Sequence, residues 1–227
     1  MGLLDLIFPR NCLGCGRAGA YICNDCLGKV PKARNHCILC FKSSVDGSTH
    51  FRCQRRFLID GAYSCWKYTG VVRKAIVSLK YKFASDIASE LAYKFVEEIK
   101  LDNSFLVSQK CALVPIPLHK KRENWRGFNQ AIEIGKFTAR HMDWVFVPNL
   151  LTRYKNTKPQ VGLKKAERKL NVKKVFCVNS EFYNQVNKKL PIVLFDDVLT
   201  TGATMKEAGK VLKKEGFERV WSVSIAG

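Results

Sequence analysis

The sequence predicts an α/β protein in which a parallel-dominated sheet is flanked by helices and preceded by a small metal-binding module. Three observations predict this class. From about residue 60, short apolar runs typical of buried strands alternate with segments of helical periodicity. One predicted strand ends in two acids followed by a threonine-rich loop. Seven of the ten cysteines lie within residues 12–53, and six of these form C-x-x-C pairs.

The predicted elements follow one another in regular order after the cysteine-rich segment. Strands are expected near 62–68, 111–116, 144–147, 175–178, 192–195 and 220–225. Helices are expected near 71–81, 86–99, 129–141 and 204–215. We therefore predict a zinc-ribbon module over 1–56 and an α/β domain over 57–227.

Composition limits the class of protein. An apolar content of 47% is enough for a folded core. No run of 18 apolar residues exists, so no transmembrane helix is predicted. The apolar first nine residues lack a basic start and a small-residue cleavage site, so they make a poor signal peptide. We expect a cytosolic protein.

The net charge of +20 is large for 227 residues and is unevenly distributed. Residues 118–175 carry 15 Lys and Arg against 4 acids. A basic chain is suited to a polyanion, and nucleic acid is the leading candidate. The alternative is a solvated lysine-rich surface with no such partner.

The first cysteine set has the spacing of a complete metal site. Two C-x-x-C pairs are separated by seven residues, and glycine-rich loops around them leave no room for a core. In a chain without a secretory signal this spacing favours structural Zn²⁺ over disulfides. The predicted ligands are Cys12, Cys15, Cys23 and Cys26.

The second set is less regular, because Arg56 stands where a fourth thiolate would complete a second pair. A histidine three positions before the last cysteine preserves the pair spacing, so a second tetrahedral site is predicted from Cys37, Cys40, His50 and Cys53. The alternatives are a lost site with packed thiols, or ligand pairs that cross between the two sets. His36 is a weaker ligand candidate.

The strand at 192–195 leads directly into the predicted ligand site. Asp196 and Asp197 are placed at its carboxyl end, where open α/β sheets bind ligands. Residues 200–204 offer hydroxyl and backbone N–H groups to an anion, and the following helix directs its positive end at this loop. Alone, the acids would fit an Asx turn and the loop an ordinary helix start.

This segment resembles the signature of type I phosphoribosyltransferases, which bind 5-phosphoribosyl 1-pyrophosphate (PRPP) with Mg²⁺. The resemblance implies a type I phosphoribosyltransferase-like fold in which Asp196 and Asp197, the catalytic acid pair, hold the ribose 2′- and 3′-hydroxyls. It implies that a phosphate loop wraps the 5-phosphate. The phosphate loop consists of Thr200, Thr201, Gly202, Ala203 and Thr204.

The resemblance also implies two basic loops. The first follows the strand at 111–116 and would bind pyrophosphate through Arg126 and Gly127 at the start of the next helix, helped by Lys120, Lys121 and Arg122. The alternative is a basic surface turn. The second, residues 153–174, corresponds to the loop that closes over PRPP in the family. Its candidates to face pyrophosphate are Lys164, Lys165 and Arg168.

The order of motifs along the whole chain resembles the ComF family, whose members are associated with natural transformation and with incoming single-stranded DNA. After the cysteine pairs come Leu-Lys-Tyr at 79–81, Val-Pro-Ile-Pro-Leu at 114–118, Arg-Gly-Phe-Asn-Gln at 126–130, Lys-Pro-Gln at 158–160 and the acid-pair loop. Arg56 is the departure from this pattern.

Three functions are open at this stage. The first is a PRPP-binding protein that handles single-stranded DNA, with aromatic side chains that stack on bases. The second is an active phosphoribosyltransferase that transfers 5-phosphoribosyl to a nitrogenous acceptor and releases pyrophosphate. The third is a zinc-ribbon adaptor that docks DNA or a competence helicase. The aromatic candidates are Tyr81, Trp125, Phe128, Trp144 and Tyr154, of which Trp125 is the best exposed candidate.

Overall fold

The fold was analysed in a computed structural model, which describes residues 10–79, 84–101, 106–155 and 174–227, with the side chains of Ala84, Arg122 and Arg126 left out. The strands are β1 Gly61–Trp66, β2 Ala112–Pro115, β3 Val145–Phe146, β4 Leu151–Arg153, β5 Phe176–Val178, β6 Ile192–Val198 and β7 Val220–Ala226. The helices are α1 Asn24–Gly28, α2 Gly70–Ser78, α3 Ala84–Leu101, α4 Lys120–Arg126, α5 Gln130–Met142, α6 Ser180–Tyr183 and α7 Ala203–Lys214.

Five strands form one sheet in the order β1-β7-β6-β2-β3, and every pair in it is parallel. All five carboxyl ends therefore meet at one edge of the sheet, where ligands of open α/β sheets bind. Strands β4 and β5 form a separate antiparallel pair. This architecture confirms the predicted α/β class with a parallel sheet flanked by helices.

Apolar side chains fill both faces of the sheet because successive residues of a strand point to opposite sides. One face packs against α2, α3 and α5, and the other packs against α7. In β6 the two faces alternate residue by residue. Val193 and Phe195 lie on the first face, and Ile192 and Leu194 lie on the second.

The two cysteine sets lie against opposite faces of this sheet. The segment of the first set contributes Ile22, Leu27 and Val30 to the face that carries α2 and α3. The segment of the second set contributes Ile38, which packs with α7 on the other face. Both segments are thus built into the core and do not stand apart from it.

Four elements of the described structure were not predicted from the sequence, namely α1, α4, α6 and β4. The basic segment after β2 is not a loop, because residues 120–126 form helix α4, whose first turn is capped by the ring of His119 accepting from the Lys121 N–H. The predicted loop over 153–174 starts within a strand, since Arg153 pairs with Phe176 in the β4–β5 ladder. Among the described residues, no helix has the length and apolarity needed to cross a membrane.

Candidate functional site

The structure brings the first predicted ligand set together. The four sulfur atoms of Cys12, Cys15, Cys23 and Cys26 lie within 4.8 Å of one another. The Sγ–Sγ distances from Cys23 are 3.5 Å to Cys12 and 3.7 Å to Cys15. A tetrahedral Zn²⁺ with bonds of about 2.3 Å has sulfur–sulfur edges of about 3.8 Å. The set therefore has the dimensions of a zinc tetrahedron.

The second set is closed by histidine, as the spacing predicts. The ligand atoms of Cys37, Cys40, His50 and Cys53 also lie within 4.8 Å of one another. His50 Nδ1 lies 3.3 Å from Cys40 Sγ, and its Nε2 lies 2.9 Å from the Ser43 carbonyl oxygen. With Nε2–H donating to that carbonyl, Nδ1 is left with its lone pair facing the thiols. Such a second hydrogen bond is typical of metal-bound histidine.

The positions of Arg56 and His36 exclude both residues from the second ligand set. Arg56 has its guanidinium 5.2 Å from the centre of the Phe57 ring and takes no part in the second set. His36 stacks on Phe41 at 5.7 Å and lies outside both ligand sets. Each set is formed by ligand pairs that follow one another in the sequence, so the alternative in which pairs cross between the two sets is excluded.

Thiol chemistry also fits a cation at each centre. Burial acts to raise the pKa of the Cys12 thiol, but surrounding backbone N–H groups lower it to about 6. Hydrogen bonding among the thiols, led by Cys23, raises the pKa of Cys26 to about 12. Burial also acts to raise the pKa of Cys37, but backbone N–H groups lower it to about 7, whereas burial and the neighbouring thiols raise the pKa of Cys53 to about 11. A divalent ion supplies the charge that keeps all thiolates of such a set deprotonated.

The acid pair lies inside the end of β6 and not after it. Asp196 still pairs with Ser224 of β7, and the strand ends at Val198. By strand alternation, Asp196 faces the α7 side and Asp197 faces the α2 side. The Asp197 N–H donates to Asp196 Oδ1 at 2.9 Å. Both residues are half-buried at the carboxyl edge of the sheet.

The two acids have unequal environments. Burial and the neighbouring charge of Asp197 raise the pKa of Asp196 well above its ordinary value, while the positive charge of Arg153 acts to lower it. On the other face, burial and the charge of Asp197 raise the pKa of Tyr68. A cation or a hydroxyl-rich ligand at this edge would relieve the repulsion between the two carboxylates.

The phosphate loop joins this edge to helix α7. Gly202 has φ +65° and occupies the position before the helix without a side-chain cap. The Ala203 N–H lies 3.4 Å from Thr201 Oγ1, and Thr200 is exposed. Helix α7 has 12 residues, so its amino end carries the partial positive charge expected of a full helix. The arrangement suits a phosphate group at the start of α7.

Replacing Gly202 with alanine is expected to destabilise the protein by about 2–4 kcal/mol. The left-handed φ strains any Cβ, and the new atom would lie 2.8 Å from the buried Ile38 side chain. Gly216→Ala is the control, because its φ is also positive, at +92°, but its Cβ would have ordinary contacts of at least 3.6 Å. Denaturant unfolding compares the two. Equal losses would contradict a contact between the loop and Ile38.

The Arg126–Gly127 pair lies at a helix end and not at a helix start. Gly127 has φ +78° and closes α4 by donating its N–H to the Glu123 carbonyl at 2.7 Å. The following helix is begun by Asn129, which accepts from the Ala131 N–H and donates to the Ile116 carbonyl. Because β2 pairs with β6, this turn still lies beside the acid pair at the carboxyl edge. The helper side chain of Lys121 is exposed on α4.

The two ends of the predicted loop over 153–174 lie together, and its last residue contacts α7. The Tyr154 hydroxyl donates to the Lys174 carbonyl at 2.7 Å, and the Lys174 N–H donates to Glu207 of α7. Lys164, Lys165 and Arg168 lie outside the described residues, as does Tyr81.

Two site residues were missed by the sequence reasoning. Arg153 is buried, with its guanidinium 5.6 Å from the Phe176 ring, and its charge acts on Asp196. The Leu-Thr-Arg run gives no sequence signal for it, because a charged residue is not expected at a buried strand position. Tyr68 follows β1 and is close enough to Asp197 for that charge to raise its pKa. An aromatic residue after a strand does not by itself indicate a site residue.

The aromatic candidates separate clearly by exposure. Trp125 is 83% exposed on α4, whereas Trp144 is buried and Phe128 is half-buried. Tyr154 is exposed. The most exposed aromatic ring on the second cysteine segment is Phe51, at 88%, and it was not among the candidates.

Comparison with known proteins gives consistent similarities. The family model for the double zinc ribbon domain matches residues 3–54. The chain is 28% identical to "Competence protein F" of Haemophilus influenzae, over 99% of this chain and 94% of that protein. It is 28% identical to "Competence protein ComFC" of Bacillus subtilis, over 86% of this chain and 79% of that protein. It is 29% identical to "DNA utilization protein YhgH" of Salmonella typhimurium, over 67% of this chain and 66% of that protein.

Proposed function

Because this chain belongs to the ComF family, we propose that it acts in DNA uptake and natural transformation, where it binds PRPP and handles single-stranded DNA. The observation that carries the PRPP part is the acid pair beside the phosphate loop at the carboxyl edge of a parallel sheet. The relatives' names support the DNA part.

In this proposal the chain's own groups divide the ligand between them. The carboxylates of Asp196 and Asp197 accept hydrogen bonds from the ribose diol. The backbone N–H groups at the start of α7 bind the 5-phosphate. Mg²⁺ bound with PRPP would neutralise part of the diphosphate charge, and the two aspartates are the residues suited to hold it. Gly127 and the basic side chains of α4 would face the pyrophosphate.

A titration of the protein with Mg-PRPP in a calorimeter tests the pocket. We expect saturable binding with one ligand per chain, weakened when Mg²⁺ is removed. Absence of binding at millimolar ligand would contradict the proposal. Adding nitrogenous bases and measuring pyrophosphate release tests the alternative, an active phosphoribosyltransferase, which uses the same pocket.

A basic cleft on the second cysteine segment supports the DNA part of the proposal. A cleft of about 680 Å³ lies beside the amino ends of the strands, and its lining includes Phe51, Arg52, Arg55 and Arg56. Its one acid, Asp60, is neutralised by Lys213, 2.7 Å away. Arginines beside an exposed aromatic ring fit a phosphate backbone with bases stacked next to it.

Replacing Arg52 and Arg56 together with glutamine is expected to weaken single-stranded oligonucleotide binding and to flatten its salt dependence. Loss of two phosphate contacts should reduce the slope of log K against log salt by roughly 1.4. The charge-matched control is Lys29→Gln with Lys100→Gln, two exposed lysines elsewhere. Fluorescence anisotropy over a salt series measures both. The same change of slope in the control would mean diffuse attraction and would remove the cleft from the proposal.

A further inference from the structure

The second cysteine segment and the phosphate loop are in direct contact. The backbone of Gly202 lies so close to Ile38 that a Cβ at this glycine would meet that side chain at 2.8 Å. Ile38 is completely buried. It stands between Cys37 and Cys40 in the sequence, inside the knuckle of the second metal site. The same apolar cluster contains one residue before Gly202 and two after it, namely Leu199, Ala203 and Met205.

A second contact links the same knuckle to the first turn of α7. The Lys206 ammonium donates to the Ile38 carbonyl at 3.2 Å and lies 5.0 Å from the centre of the Phe41 ring. The Lys206 N–H donates to the Gly202 carbonyl at 2.9 Å. The knuckle therefore contacts the phosphate loop through an apolar side chain and the adjoining helix turn through a hydrogen bond.

We propose that the second zinc ribbon forms part of the sugar-phosphate site, with Ile38 as a positioning residue that holds the phosphate loop in its anion-binding conformation. This inference rests on the proposed PRPP function. The loop needs such support because Gly202 is held at a left-handed φ, and a glycine has more conformational freedom to lose than any other residue. A loop that is ordered before the ligand arrives binds it with a smaller entropic cost.

Metal coordination gives the support its rigidity. Cys37 and Cys40 flank the Ile38–Leu39 dipeptide, so Zn²⁺ bound to both thiolates would fix the backbone that carries Ile38. The first ribbon offers the comparison, because it packs on the opposite face of the sheet. Its Ile22 is as completely buried as Ile38 but lies in the cluster of α2 and α3, away from the phosphate loop. The two isoleucines are therefore a matched pair.

The test compares Ile38→Ala with Ile22→Ala in the full-length zinc-loaded protein. Each change removes the same atoms from a buried site, so we expect similar decreases in Tm. Zinc content should stay at the wild-type level in both. Ile38→Ala should weaken Mg-PRPP binding between about 5-fold and 150-fold, whereas Ile22→Ala should change it less than about twofold. The milder pair Ile38→Val and Ile22→Val serves if either alanine variant fails to fold.

Amide hydrogen exchange without ligand separates this inference from the proposed function. Residues 199–206 should exchange faster in Ile38→Ala and at the wild-type rate in Ile22→Ala. Equal exchange in the two variants, or equal loss of PRPP affinity, would overturn the positioning role. If the wild-type protein does not bind Mg-PRPP, the proposed function fails, and the exchange comparison still decides whether the ribbon orders the loop.

Discussion

Replacing Asp197 or Asp196 with asparagine is expected to abolish measurable binding of Mg-PRPP, a loss of at least about 100-fold. Both carboxylates lie at the end of β6, beside the phosphate loop. Asparagine keeps the size of the side chain but loses the charge that the ribose hydroxyls and Mg²⁺ require, and a charge-assisted hydrogen bond contributes about twice as much as a neutral one. Calorimetric titration of each variant measures the loss. Retained affinity in both variants would remove the acid pair from the site.

The same Asp196→Asn change should stabilise the ligand-free protein at neutral pH. Burial raises the pKa of Asp196, so the folded chain binds this proton more tightly than the unfolded chain does. Stability is therefore lost as pH rises from the ordinary value of 3.8 through the raised pKa. Asparagine removes this loss, and we expect a gain in Tm of about 2–4 °C for ~1 kcal/mol.

Thermal unfolding at pH 4 and pH 8 measures this effect. The gain should be small at pH 4, where Asp196 is already protonated, and larger at pH 8. Asp197→Asn should give a smaller gain at pH 8, because it removes the repulsion but leaves the burial that contributes most to the raised pKa of Asp196. A gain in Tm that does not depend on pH would contradict a half-buried, repelled charge at Asp196.

Loss of the first zinc site is expected to lower Tm by an amount on the order of 10 °C. Cys15→Ser removes one ligand, and the binding energy of a structural zinc is folding energy. The effect reaches the sheet because Ile22, Leu27 and Val30 of this ribbon belong to the core of the α2 and α3 face. In a chain of 227 residues, a decrease of ~4 kcal/mol in the free energy of unfolding lowers Tm by about this amount.

Cys177→Ser is the matched control for this change, because Cys177 is an exposed thiol outside both ligand sets. It should keep the wild-type Tm and zinc content. Metal analysis together with thermal unfolding checks both variants. Cys15→Ser protein that retains full zinc and the wild-type Tm would contradict a structural metal at this quartet.

Local sequence pattern predicted the features that depend on residues near one another in the chain. The buried run before Asp196 predicted the central strand, and the His50–Cys53 spacing predicted a ligand set that the structure brings together. The predicted α/β class is confirmed because strands and helices alternate at the expected positions. Where strand ends were misplaced, the error was small, as for β6, which includes the acids and does not stop before them.

The helix at 120–126 was missed, although its signals are local. The His119 cap and the closing Gly127 stand directly before and after it in the sequence. Features that depend on distant residues were not predictable from local pattern. Arg153 lies near Asp196 only because the β4–β5 pair places it there. The contact of Ile38 with Gly202 spans more than half of the chain and leaves no local pattern. No single-sequence periodicity reports such tertiary neighbours.

The most direct test of the central claim is a crystal structure of the protein with Mg-PRPP. The account predicts the 5-phosphate against residues 200–204 at the start of α7, and the ribose hydroxyls within hydrogen-bond distance of Asp196 and Asp197. An empty phosphate loop at saturating PRPP, or a ligand bound with its ribose away from both carboxylates, would contradict the account.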